Sequence, residues 1–196
     1  MPTREVPTRE APTSEVPTDE VPTREALTVK VWGPLVRVSH WLLVLAIVLS
    51  WLSRHGWGIW HERAGYFALT VVLTRVLWGF LGPAQVRFTD FVRSPSHTLG
   101  YLGQVLRRAE SRHLGHNPLG GWMIVALLLV SGLVALSGWL YTTDRFWGIE
   151  WVENLHSLLA DVLVALAVVH LAGVLYGTFR HRENLVASMI HGRKRA

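Results

Sequence analysis

The chain has no cysteine. Structural disulfides, thiolate metal sites, cysteine nucleophiles, iron–sulfur clusters and covalent c-type haem attachment are thereby excluded. Charge is also scarce: 17% of the residues are Asp, Glu, Lys or Arg, against roughly a quarter in an average soluble domain. Half of the chain is hydrophobic, and 196 residues make too small a soluble core to hide that much. The apolar residues are clumped into blocks of about twenty, the length a helix needs to cross a bilayer. An ordinary soluble enzyme is therefore excluded and a membrane protein expected. What the chain has in plenty is tryptophan and histidine, ten of each.

Residues 2–26 are five consecutive pentapeptides, PTREV, PTREA, PTSEV, PTDEV and PTREA. A proline at every fifth position prevents a continuous helix and removes strand donors. With no aromatic residue and only small apolar ones, the segment cannot bury enough surface to offset chain entropy. It carries three arginines against six acids. A disordered tail over 1–29 without catalytic content is expected, followed by a membrane domain over 30–182 and a basic C-terminal tail over 183–196.

Four apolar runs, at about 36–54, 61–82, 119–141 and 153–178, have spanning length. Tryptophans mark their ends, at Trp41, Trp51, Trp57, Trp60, Trp78, Trp122, Trp139, Trp147 and Trp151, the aromatic belt expected at headgroup level. Basic residues set the direction. They gather on the N-terminal side (Arg4, Arg9, Arg24, Lys30, Arg37), in the connection 83–118 (Arg87, Arg93, Arg107, Arg108, Arg112) and at the C-terminal end (Arg180, Arg182, Arg193, Lys194, Arg195). The two remaining loops hold Arg54, Arg63 and Arg145. The positive-inside rule then puts both termini and the 83–118 connection in the cytoplasm. This asymmetry explains the net charge of +5 without nucleic acid. Within that connection, residues 97–113 have the pattern of a short interfacial helix.

Histidine inside an apolar span is costly and marks function. Four stand out: His40 at the start of the first span, His61 at the start of the second, and His156 and His170 in the fourth. His156 and His170 are fourteen residues apart, which puts them about 40° from one face and about 21 Å apart along the axis. Alternating span directions then give two level-matched pairs, His61 with His156 and His40 with His170. Each pair suits axial ligation of one planar cofactor iron, and two such sites would make a transmembrane electron relay. The separation forbids pooling all four on one metal ion. For any one histidine, a packed side chain bonded to a carbonyl is the competing reading. His55, His97, His113, His116, His181 and His191 fall in loops or span ends, where solvated side chains are expected.

Arg75 lies fourteen residues after His61, on the same face at the lower level, where it could meet a cofactor carboxylate or snorkel to headgroups. Asp161 points about 140° away from His156 and is not expected as a ligand. Gly65, Ala68, Gly79, Gly120, Gly121, Gly132 and Gly138 would admit a flat macrocycle, though close helix packing is the commoner reason for small residues.

The pieces VWGPLVRVSHW around His40, HERAGYFALTVVLTRVLWG from His61 through Arg75, GHNPLGG at 115–121 and the His156/His170 spacing resemble the prokaryotic cytochrome b561 and nickel–iron hydrogenase b-type cytochrome family. The resemblance covers about 30–180. It implies an all-α, four-helix transmembrane bundle binding two haem b groups, with His40, His61, His156 and His170 as iron ligands. It further implies residence in the bacterial inner membrane and electron exchange with a quinone, a hydrogenase or a periplasmic cytochrome c. The chain differs from the larger hydrogenase-linked members in showing four spans and no clear fifth. An electron carrier is expected rather than a stand-alone oxidoreductase, alone or as a homodimer. The competing functions are a quinone reductase oxidising a small reductant such as superoxide, and a non-redox four-helix membrane protein.

Overall fold

A computed structural model describes residues 28–56 and 58–195. The expectation for the pentapeptide repeats, and Trp57 with it, lies outside these residues. In chain order the elements are β1 (Thr28–Lys30), α1 (Pro34–Ser53), α2 (Gly58–Leu81), a 3-10 turn (Ala84–Val86), α3 (Phe88–Phe91), α4 (Pro95–Leu106), α5 (Pro118–Tyr141), α6 (Glu150–His181), α7 (Leu185–His191) and β2 (Arg193–Arg195). Among the described residues, α1, α2, α5 and α6 are long and apolar enough to cross a membrane. They overlie the four expected spans and begin one to three residues earlier.

Local chemistry sets the starts. Pro34, Pro95 and Pro118 each open a helix, where a missing N–H costs nothing. Asn117 Oδ1 accepts the Gly120 N–H at 2.6 Å to cap α5, and Asn184 Oδ1 accepts that of Ala187 at 2.8 Å to cap α7. Helix α6 has Glu150 and Glu153 in its first turn and Arg180 and His181 in its last, charges that complement the helix dipole. Its 32 residues extend about 48 Å, so one end projects beyond a hydrocarbon core of about 30 Å.

The spans alternate in direction. The bundle thus has one end at which the described residues begin and finish, called here the terminal end, and an opposite end where α1 leads to α2 and α5 to α6. Among the four spans, close packing links α1 to α2, α2 to α5 and α5 to α6. Helix α6 stands off from α1 and α2. Much of the outward surface is apolar: Leu81 is 80% and Phe179 78% exposed, a surface that water would not tolerate but lipid would. Three buried hydroxyls are satisfied within their own helices, as suits lipid. Ser39 donates to Val36 O at 3.1 Å, Ser53 to Leu49 O at 2.6 Å and Ser137 to Val134 O at 2.9 Å.

The connection 83–118 is more broken than a helix over 97–113. Helix α4 stops at Leu106 because Arg108 adopts φ +55°, closed by an Ala109 N–H bond to Gln104 O at 2.9 Å. The segment 183–196, expected as a tail, carries α7 and β2. Strand β2 pairs antiparallel with β1, in register Thr28 with Arg195, Val29 with Lys194 and Lys30 with Arg193. The boundary expected at residue 29 thus falls inside an ordered strand.

Candidate functional site

Helix α6 approaches α1 and α2 through four imidazoles. At the terminal end the rings of His40 and His170 have centroids 6.5 Å apart. At the opposite end those of His61 and His156 are 6.0 Å apart. These are the two pairs that helical arithmetic picks out. Two imidazoles on either side of one metal, each nitrogen at about 2.0 Å, would have centroids about 6.3 Å apart. Both pairs lie close to that span.

Among the described residues, no three His, Cys, Asp or Glu side chains converge on a point that would hold a metal ion. A site of two protein ligands suits a metal that brings its own in-plane donors, which is how haem iron is held. The residues present therefore fit that group.

Side chains around the rings fix their orientation. His61 Nδ1 donates to Ser50 O at 2.8 Å. His156 Nδ1 lies 3.1 Å from both Val134 O and Ser137 Oγ. The carbonyls make each Nδ1 the protonated nitrogen and leave Nε2 as the free base. Gly138 presses against the same ring: a Cβ there would sit 3.1 Å from His156 Cε1. Close approach, rather than room for a macrocycle, explains this glycine. At the terminal end, His40 packs edge-on against Trp41 with centroids 5.1 Å apart, and its buried Nδ1 has no partner among the described residues.

Arg75 is 7% exposed, and its buried Nη1 has no partner among the described residues. A buried guanidinium in this state suits an anion. Asp161 is exposed on α6, apart from the paired rings.

His116 departs from the solvated reading. It packs between Trp32, at 4.5 Å between centroids, and Phe91, at 4.7 Å. Burial, followed by the positive charges of Arg75 and Lys194, lowers its pKa to about 4. Nothing in its local sequence reveals this, because Trp32 and Phe91 come from other segments. A cleft of about 950 Å³ opens beside it at the terminal end, lined by Trp32, Phe91, Arg93, His97 and His113 among others.

A four-helix membrane bundle with an imidazole pair at each end is architecture suited to a membrane b-type cytochrome. Comparison supplies the family. The model of prokaryotic cytochrome b561 matches residues 31–192, and the chain belongs to that family, whose members are b-type cytochromes of membrane electron transfer. It is also similar to a probable Ni/Fe-hydrogenase B-type cytochrome subunit of Bradyrhizobium diazoefficiens, 24% identical over 85% of this chain and 86% of the relative. No solved structure matches the chain. The protein is a multi-pass membrane protein of this family.

Proposed function

We propose that the protein is a di-haem b cytochrome of the inner membrane, passing electrons between a quinone pool and a redox partner on the periplasmic side. The observation that carries this is the two imidazole pairs, 6.5 and 6.0 Å between centroids, at opposite ends of one bundle. His40 and His170 would hold one iron and His61 and His156 the other. The helical rise between His156 and His170 separates the levels by about 21 Å. Bound haem supplies reversible one-electron exchange. The chain would supply imidazole nitrogens to hold it, their orientation and a dry surround that tunes potential.

Arg75 would pair with a propionate of the terminal-end haem, answering its free Nη1. The excess of basic residues at the terminal end supports a cytoplasmic placing of that end. The cleft beside His116 has the volume of a small-ligand pocket, with an aromatic wall and imidazole donors suited to a quinone head. A second reading of the partner, a nickel–iron hydrogenase, is favoured by the printed name of the Bradyrhizobium relative.

The test is a dithionite-reduced minus oxidised visible spectrum of the purified protein, with extracted haem counted. Two non-covalent, low-spin b haems per chain are expected, and His170→Ala should keep only one. No haem in the wild-type protein would refute the reading. Two haems retained by His170→Ala would refute the pairing.

A further inference from the structure

Helix α6 continues past the paired histidines and builds a separate feature at the terminal end. Tyr176, Phe179 and Arg180 follow His170 by six, nine and ten residues. The helical rise carries them about 9–15 Å toward that end, where the spanning run gives way to headgroup level. With Arg108, from the connection between α4 and α5, they line a cleft of about 480 Å³.

Two segments distant in sequence are locked together to form its wall. Arg180 Nη2 donates to Arg108 O at 2.7 Å, while Arg180 Nε and Tyr176 Oη donate to Glu110 Oε1, both at 3.0 Å. The Glu110 side chain is 1% exposed and that of Arg180 38%, so the acid is spent within the lock and the cation still reaches the cleft. Arg108 holds φ +55°, a conformation in which glycine would be the relaxed choice. An arginine kept there presents an exposed side chain to the same cleft. Two guanidiniums against one buried carboxylate leave the cleft positive.

Its surround is apolar. Phe179 is 78% exposed, and Leu175, Leu171 and Val168 are more than half exposed, at helical spacing on the side of α6 that leads back into the hydrocarbon. Guanidiniums pair with phosphate through forked hydrogen bonds. A basic pocket beside a spanning helix at headgroup depth suits an acidic lipid head, and an aromatic ring suits the boundary below it. Arginines that merely snorkel need neither a cleft nor a left-handed backbone.

We propose that this cleft holds the phosphodiester of one anionic phospholipid from the leaflet at the terminal end. Arg108 and Arg180 take the phosphate, and Phe179 lies against the start of the acyl chains. Glu110 and Tyr176 are positioning residues that hold Arg180 in place. This needs only that the protein spans a membrane, and it is independent of the histidine pairing.

The experiment uses the purified full-length protein, stripped of lipid in a neutral detergent. It is titrated with phosphatidylglycerol and with phosphatidylcholine of the same acyl chains, and retained lipid is counted by native mass spectrometry. One phosphatidylglycerol per chain should be held several-fold more tightly than phosphatidylcholine. Arg108→Gln should erase most of that preference, whereas Arg107→Gln, adjacent in sequence but outside the cleft, should keep it. Arg108→Gly removes the guanidinium while relaxing the left-handed backbone. It should lose the preference equally and melt no lower than Arg108→Gln, which separates binding from folding. No preference in the wild type, or a preference that survives both Arg108 variants, would overturn the proposal. Equal weakening by Arg107→Gln would mean diffuse surface charge and overturn it as well. Displacement of the lipid by millimolar inorganic phosphate would show a free-anion site and sink the lipid.

Discussion

At the scale of single residues, the helix-borne histidines and His116 do different work. The four span histidines face one another in pairs, whereas His116 sits in an aromatic sandwich of Trp32 and Phe91. Its pKa falls from 6.5 to about 4, by burial first and then by Arg75 and Lys194. Between those values the folded protein binds fewer protons than the unfolded chain, so stability there rises with pH. The contribution of His116 is complete above about 6.5 and is lost as pH falls toward about 4. Thermal unfolding in detergent, read by tryptophan fluorescence, should show a midpoint that drops across that window. In His116→Gln, which cannot take up the proton, the drop should be shallower, and an equal drop would show that other groups govern it.

At the scale of elements, the 107–117 segment is tied to the projecting end of α6 by one acid. Glu110 is 7% exposed and accepts from Tyr176 Oη and Arg180 Nε, both at 3.0 Å. Arg180 also reaches Arg108 O at 2.7 Å. The Glu110 carboxyl is held below its ordinary pKa by its own backbone N–H and by Tyr176 and Arg180, against the opposing effect of burial. Removing it leaves the Tyr176 hydroxyl and the Arg180 Nε without their acceptor. Glu110→Ala should therefore expose the bonds after Arg107 and Arg108, raising the rate of trypsin cleavage there several-fold while haem content stays unchanged. An unchanged digestion rate would mean that the segment is held by something else. The spans themselves were legible in the sequence, because about twenty apolar residues admit one solution in lipid. The facing of His40 with His170 and of His61 with His156 was legible too, since one helical period fixes both angle and height. The end of α4 was not, because it depends on Arg108 taking φ +55°, a conformation unusual outside glycine. The burial of His116 was equally hidden, since it comes from rings distant in sequence.

At the scale of the whole molecule, the unsolved mechanical problem is how α1 and α6 stay in register without packing closely on each other. The termini supply a clasp. Strand β1 enters α1 and pairs with β2 at the far end of the chain. Trp32 Nε1 donates to Ser188 Oγ at 3.4 Å and Trp41 Nε1 to Met189 O at 3.3 Å, and Arg37 Nη1 bonds to Ile190 O. Lys194 is buried between Glu183 Oε2 at 4.0 Å and the face of Trp32, 5.6 Å from its centroid; burial lowers its pKa, with Glu183 acting against that and Arg112 with it. A short run of strand bonds, each worth about 1 kcal/mol net, thus ties the strand just before α1, whose start lies about two turns before His40, to the segment that follows α6. Three-residue strands have no periodicity to betray them in the sequence. Ending the chain after Gly192 removes β2, Lys194 and the cover they give Trp32, while leaving every paired histidine in place. The truncated protein should unfold several degrees lower. Because the clasp lies at the terminal end, it should lose haem from the His40/His170 level first on prolonged detergent washing, seen as selective loss of one of two spectral components. Equal loss from both levels would show that the clasp stabilises the bundle as a whole without setting the distance between α1 and α6.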